Sequence, residues 1–594
     1  MQQSYNPTWD LDVIFPGGSE SEEFTTYLKT IKEEMGKLSK TVDNFVPGQE
    51  GGSTNQLAGI VTHLESTMKK VREAFAFISC LSAQDVNDDK ANLLVGKRSA
   101  LQADLSAVVT NFEQKLVLID DTAWKEMMLH PQLIEISFVL NENRKRAKEL
   151  LSAENEILIN DLAVDGYHGW SQMYDTIVGS MSVELEEEGE TNSYSVGQAS
   201  NKLSNPDREV RKHVFEQLDK AWKEKADLFG QTLNHLAGFR LQTYKHRNWA
   251  DVLKEPLTIN RMQKETLDAM WKAITNNKHH FVKFLEKKAE ILGLEKLSMY
   301  DVGAPVTKSV KKSSYTEGAS FIVEQFREFS PKMADFAQMA FDKRWIEAED
   351  RSGKRPGGFC TSFPDSEQTR IFMTYSGTTS NIATLAHELG HAYHQHVMND
   401  VNGLNQRYAM NVAETASTFA EMIVADASVK GAQNKKEKQA LLEDKIQRSV
   451  AFFMNIHARF IFENNFYEER REGLVSVNRL NELMIEAQKE AYGDALEEYD
   501  QNFWASKLHF HITGVPFYNF PYTFGYLFSL GIYAHAKEKG GSFEESYIEL
   551  LRDTGRMNVE ELARKHLNVD LTTTDFWESA IQLCVKDVEE FLSL

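Results

Sequence analysis

The residues best suited to chemistry lie in one short run, His387-Glu388-Leu389-Gly390-His391. On an α-helix, residues four apart sit about 40° apart on one face, so His387 and His391 present two imidazoles to one point. Two converging imidazoles suit a zinc ion, and Glu388 beside them can reach a water on that ion as a proton acceptor. The helix that must position them is readable from its flanks. Thr378, Thr379, Ser380 and Asn381 offer N-caps, and Ile382, Leu385, Ala386 and Leu389 are apolar at three- and four-residue spacing. Gly390 weakens helix propensity, which predicts a close packing contact there. His394 and His396 are expected to be solvated or to stand behind the ligands.

A catalytic zinc usually takes three protein ligands and keeps a position open for water, so a downstream helix must supply the third. The run Asn411–Glu421 fits, with Glu414 and Glu421 on similar faces. Glu414 is favoured, because Ala413, Ala416 and Ser417 around it allow close approach to the first helix. Farther on, His509–Tyr533 is rich in aromatic residues, and Asn519 and Pro521 mark a helix start. Tyr522 and Tyr526 would share a face of that helix, with Tyr518 just before it. With His509 and His511, these phenols are candidate donors to a developing oxyanion; a buried aromatic helix with satisfied hydroxyls is the alternative.

The rest of the chain must hold these pieces together. Its 594 residues and 42% hydrophobic content allow several domains or one large helical body. A net charge of −22 with both signs scattered along the helices disfavours nucleic acid as a partner. Cys80, Cys360 and Cys584 form no disulfide framework, the N-terminus has no signal-peptide pattern, and no apolar run is long enough to span a membrane. A reducing cytoplasm is the expected location.

Residues 1–20 read as an irregular arm. Helices are predicted over Glu22–Thr41, Gln56–Leu81, Asp89–Leu118 and Glu142–Leu162, with a Gly/Ser/Asn-rich link near Pro47–Asn55. Met181–Ser200 reads as a β-hairpin or a loop around Glu188-Gly189-Glu190. Asn205-Pro206-Asp207 opens one long helix to about His246, and Met262–Leu292 and Ser314–Phe341 follow as further helices. Residues 352–377 read as two strands directly before the metal helix. They form either an ordinary hairpin or an edge that pairs with an extended peptide. Cys360 within them reads as a small buried residue, because nothing nearby would activate its thiol.

With these stretches in hand, the chain resembles the thimet-oligopeptidase-like metallopeptidases, nearest to the oligoendopeptidase F family, over most of its length. The resemblance is carried by Trp9-Asp10-Leu11 with Phe15-Pro16-Gly17, by Tyr375-Ser376-Gly377 through His394, and by Ala413–Ser417. Trp504-Ala505 through His509-Phe510 and then Pro516-Phe517-Tyr518 carry it further. It departs at Asn381, where the family often has Asp, and between His509 and Tyr518, where the segment is longer than in some relatives. That extra length leaves His509 and His511 both open, with His509 preferred.

The resemblance implies a mainly helical metallopeptidase body with a deep substrate channel and a small sheet beside the zinc helix. It divides the chain into residues 1–110 and 111–200 as N-terminal helical segments and 201–594 as the catalytic domain. It implies one Zn²⁺ per chain on His387, His391 and Glu414, with Glu414 raised above Glu421, Glu388 as general base, and support from His509, Tyr518, Tyr522 or Tyr526. The expected activity is endopeptidase cleavage of oligopeptides. A carboxypeptidase on a similar scaffold, or a peptide-binding protein with structural zinc, are the alternatives; the latter is disfavoured because structural zinc sites are closed by four protein ligands.

Overall fold

A computed structural model describes residues 4–47, 52–187, 189–307 and 312–594. The link residues 48–51 and the turn residue Glu188 lie outside them. The molecule is mainly helical, with one two-stranded and one three-stranded sheet among the described residues.

Helices α1 (Glu22–Asp43), α2 (Gly52–Gln84) and α3 (Asp89–Val117) form the N-terminal bundle. Each start that carries a cap has a short polar side chain at it. Ser21 accepts from the Phe24 amide and Asp88 from the Lys90 and Ala91 amides, which satisfies orphan donors of the first turn. Apolar residues from Trp9 to Leu140 make this core, so the sequence division at 110 falls inside α3, between the buried Leu105 and Phe112. The first residues are irregular yet packed: Trp9, Leu11 and Phe15 are buried. A second core runs from Tyr174 to Phe591.

Three predicted helices are each divided. The 205–246 stretch breaks at Lys225, where the backbone leaves the helical region, into Arg208–Glu224 and Ala226–His246. Ser330, extended at φ −144, caps a new helix whose first residue is Pro331, so 314–341 becomes Tyr315–Phe329 and Pro331–Asp342. The charged 142–162 stretch becomes Ser137–Glu149 and Ala153–Ala163. Helical periodicity continues across each break, so period alone does not reveal them.

The first sheet is the expected hairpin, β1 (Ser182–Glu187) against β2 (Glu190–Ser195). The second has the order β3-β5-β4, with β3 (Ile346–Glu347) parallel to β5 (Gln368–Phe372) and β4 (Phe359–Phe363) antiparallel to it. Strand β3, only two residues long, was not anticipated. Side chains alternate across a strand, and here the alternation divides the two cores: Ile371 enters the second and Phe372 the first. The sheet therefore sits at the seam of the two cores and hands the chain to α4 (Thr379–Val397).

Helix α4 begins in a capping box between Thr378 and Asn381, and the Asn381 side chain also accepts from the Ser376 amide and hydroxyl. Asparagine at this position thus caps the helix with its amide oxygen. Helix α4 packs on α5 (Met410–Lys430), which packs on α6 (Phe520–Lys539). Both contacts run through glycine. A Cβ on Gly390 would lie 2.4 Å from the Ala416 carbonyl oxygen, and one on Gly525 would lie 2.9 Å from the Glu414 Cβ.

This close approach generates a prediction. Gly390→Ala must force α4 and α5 apart and should cost about 1–3 kcal/mol in chemical denaturation. Gly36→Ala, at an exposed position of α1 with nothing within 4 Å of the new Cβ, should instead gain up to about 1 kcal/mol. Equal effects from the two would show that the helix contact at Gly390 is not tight.

Candidate functional site

Helices α4 and α5 bring His387, His391 and Glu414 together, with one ligand atom from each lying within 4.8 Å of the others. Both Nε2 atoms face one carboxylate oxygen: His387 is 3.2 Å and His391 3.4 Å from Glu414 Oε2. The two rings stand nearly perpendicular, with centroids 4.9 Å apart. Their other sides are held. His387 Nδ1 lies 3.1 Å from Glu421 Oε2, and Glu421 is itself paired with Arg448. Since a carboxylate only accepts, the proton sits on Nδ1 and the Nε2 lone pair faces the cluster. Glu421, the other candidate for third ligand, is therefore an orienting carboxylate behind His387. Ser417 donates to Glu414 at 2.7 Å.

Electrostatics set these groups apart. Burial pushes His391 down to about 4, which leaves it neutral and able to donate a lone pair. Burial alone would raise Glu414, but the two facing imidazoles and the Ser417 hydroxyl bring it to about 2. Glu388 goes the other way, raised to about 7 by burial and by the Glu414 charge against the opposing effect of His387. Its Oε2 is buried and has no partner. A buried carboxylate oxygen without a partner requires a donor from outside the chain, such as water. A nitrogen-and-oxygen donor set of two histidines and one ionised glutamate, converging on one point, fits a divalent transition metal.

Glu388 also faces the sheet. A Cβ on Gly358 would come within 3.6 Å of Glu388 Oε1, so the backbone before β4 passes close to the carboxylate. The ladder shows which way β4 points. The Ile371 and Met373 amides donate towards β3, to Trp345 and Glu347, each at 2.9 Å. Phe372 and Arg370 therefore bond to their β4 partners Phe359 and Thr361. Cys360 and Ser362 must point their amides and carbonyls outward, and among the described residues nothing pairs with them. Burial pushes the Cys360 thiol well up, in keeping with an inert side chain.

The aromatic segment supplies the opposite wall. His511 is fully buried and stacked on Tyr174 with centroids 4.0 Å apart, so it is removed from the cluster. His509 is half-buried, and its Nδ1 faces Arg459 at 3.4 Å. Because a guanidinium only donates, Nδ1 accepts and Nε2 carries the proton. Burial, then Arg459 and Lys507, hold His509 near 4, so that proton is donated by a neutral ring. Arg459 also bonds Asn519 at 2.9 Å, which ties Tyr518 to the same frame. Tyr518 packs at a tilt beside His509 and Tyr522, and Tyr522 is within electrostatic reach of Glu414.

Two expectations fail on packing. Tyr526 is turned into the core, where its hydroxyl is 3.0 Å from Ser449 and close to Cys584. Four residues place it on the face of Tyr522, but the neighbouring helices bury one turn and leave the other open. His394 is not solvated: it is fully buried next to His391, bonded to Thr554 at 2.9 Å and stacked on Tyr408. His396 is exposed as expected. Sequence reading missed Arg448 and Arg459, since nothing local distinguishes them from surface arginines.

The geometry orders the variants of this site by metal affinity. His387→Ala and Glu414→Gln should lose tight binding of added Zn²⁺, because each removes a converging donor. Glu421→Gln should lose only about 10–100-fold, because it loosens His387 without removing a ligand. Competition against a chromogenic chelator measures all three. An affinity lost with Glu421→Gln and kept with Glu414→Gln would reverse the two carboxylates.

Comparison with known proteins agrees with this architecture. The chain is 26% identical to oligoendopeptidase F, chromosomal, of Lactococcus lactis subsp. cremoris, across 99% of this chain and 97% of that protein. The fold matches oligoendopeptidase-F from Enterococcus faecium with a TM-score of 0.68 at 18% identity, covering 96% of this chain and 99% of that one. It matches a Chlamydophila abortus chain described as a peptidase with a TM-score of 0.82 at 19% identity, covering 100% and 99%. The Oligopeptidase F model matches residues 115–182, and the model for Peptidase family M3 matches residues 202–583. That second match spans most of the sequence and includes α4, α5 and the aromatic wall, so the chain belongs to peptidase family M3.

Proposed function

We propose that this peptidase is a zinc-dependent endopeptidase that cuts internal bonds of oligopeptides, with Glu388 as general base. The observation that carries the reading is the partnerless, buried Glu388 Oε2 beside the converging His387, His391 and Glu414. Zinc held by those three residues, one ion per chain, would supply the Lewis acidity that makes a water nucleophilic near neutral pH. Glu388 takes a proton from that water and can return it to the leaving amine, since burial places its pKa near the working range. The outward amides and carbonyls of Cys360 and Ser362 hold an extended peptide by strand addition. His509 Nε2–H and the Tyr518 and Tyr522 hydroxyls are the donors available to the developing oxyanion.

Strand addition uses the peptide main chain, which only an extended segment offers. Short peptides therefore enter and folded proteins do not. Among the described residues no helix is long and apolar enough to cross a membrane, and all three cysteines are free. A cytoplasmic location fits these features. Structural zinc is disfavoured, because among the described residues only three ligand side chains converge.

Glu388→Gln should keep its zinc and lose cleavage of an internally quenched peptide by about 10²–10⁴. A variant that retains zinc and cleaves at the wild-type rate would place the proton acceptor elsewhere. Acid should act in a set order. Glu388 gains its proton as pH falls through about 7, whereas His391 does so near 4 and Glu414 near 2. A bound cation lowers all three. Turnover should therefore fall on the acid side while zinc content measured by mass spectrometry is still constant. Activity that tracks zinc release instead would remove Glu388 from the acid limb.

A further inference from the structure

A second unbalanced feature lies beside the cluster. A cavity of 570 Å³ opens between α2, α3 and the segment that leads into α5. Much of its wall is apolar, including Phe75, Leu105 and Phe112. The charges on it do not cancel. Glu113 is paired with Arg146 and Glu142 with Arg261, which leaves Arg72 and Arg407 over. Among the described residues, neither of these two guanidiniums has a hydrogen bond or ion pair. Arg72 is half-buried, and burial together with the Arg407 charge lowers its pKa. Arg407 is exposed; desolvation and the charges of Arg146 and Arg261 lower its pKa, and Glu113 and Glu142 oppose them.

Arg72 is half-buried beside the apolar wall, where a cation without a partner is unfavourable unless an anion joins it, and the exposed Arg407 adds a second guanidinium to the same cavity. Tyr408 connects this cavity to the catalytic cluster. It lines the cavity, and its hydroxyl is within electrostatic reach of Cys360, Arg72 and Glu414.

We propose that the cavity is a substrate subsite in which Arg72 and Arg407 hold a peptide carboxylate, while the apolar wall accepts an adjoining side chain. The proposal rests on the endopeptidase reading above. The carboxylate has two possible sources, the C-terminus of the peptide or an Asp or Glu side chain, and a guanidinium pair binds either.

The test uses the full-length zinc protein and a set of peptides with one acidic residue at varied positions, each made as C-terminal acid and amide. Loss of the recognised carboxylate should lower kcat/KM by about 10–100-fold, the usual worth of a hydrogen bond to a charged group. With Arg72→Gln/Arg407→Gln the acid and its neutral counterpart should be cut equally, and Arg72→Lys should restore part of the difference. Mass spectrometry of the products identifies the source. A cut at fixed distance from the C-terminus, abolished by amidation, points to the terminus; a cut that follows the acidic residue points to the side chain. Fluorescence anisotropy of the same peptides on Glu388→Gln protein reads the preference without cleavage. A chain that cuts no peptide would sink the endopeptidase reading and leave this binding measurement to judge the subsite. Equal kcat/KM and equal binding for acid, amide and acid-free peptides would overturn the subsite.

Discussion

The approach of α4, α5 and α6 through Gly390 and Gly525 determines what the site can be. A metal cluster of two histidines from one helix and a glutamate from the next needs their axes closer than side chains normally allow. At Gly390 the backbone of α4 lies almost against that of α5, and Gly525 does the same for α6 at Glu414. The glutamate is thus clamped between two helices, and its carboxylate has little freedom except towards the imidazoles. Ser529 adds a bond from α6 to the Thr415 carbonyl, which fixes the same turn of α5.

Around this clamp the charges are layered. Arg448 holds Glu421, Glu421 holds His387, and His387 meets Glu414. Such a chain fixes tautomer and ring orientation before any ion arrives, which lowers the cost of binding it. Glu388 is outside the layer. Its buried oxygen has no partner among the described residues, and burial, with the Glu414 charge, raises its pKa. The same helix therefore carries an acid kept ready for protons beside His391, which burial keeps neutral.

The second wall is organised by a different cation. Arg459 reaches both His509 and Asn519, and so links the start of α6 to the turn before the aromatic segment. His509 depends on it for its tautomer, and Tyr518 is held between that histidine and Tyr522. The backbone of β4 points outward at Cys360 and Ser362, and Arg72 and Arg407 line a neighbouring cavity.

The sequence by itself determined the parts whose causes are local. The metal helix, its cap and the histidine spacing depend on helical period and short polar side chains, and the glycine at 390 betrayed a close contact in advance. The hairpins at 182–195 and 359–372 followed from alternation and turn residues. Small neighbours favoured Glu414 over Glu421, and the structure gives those two carboxylates different places. Only the tertiary structure decided the rest. Tyr522 and Tyr526 share a helix face, yet one is open to the cluster and the other is spent on Ser449. His509 and His511 differ because Tyr174, from a distant helix, covers one of them. Among the described residues Arg72 and Arg407 have no ion pair, because Glu113 and Glu142 pair with other arginines. Burial and pairing are contributed by segments hundreds of residues away, and no local pattern carries that information.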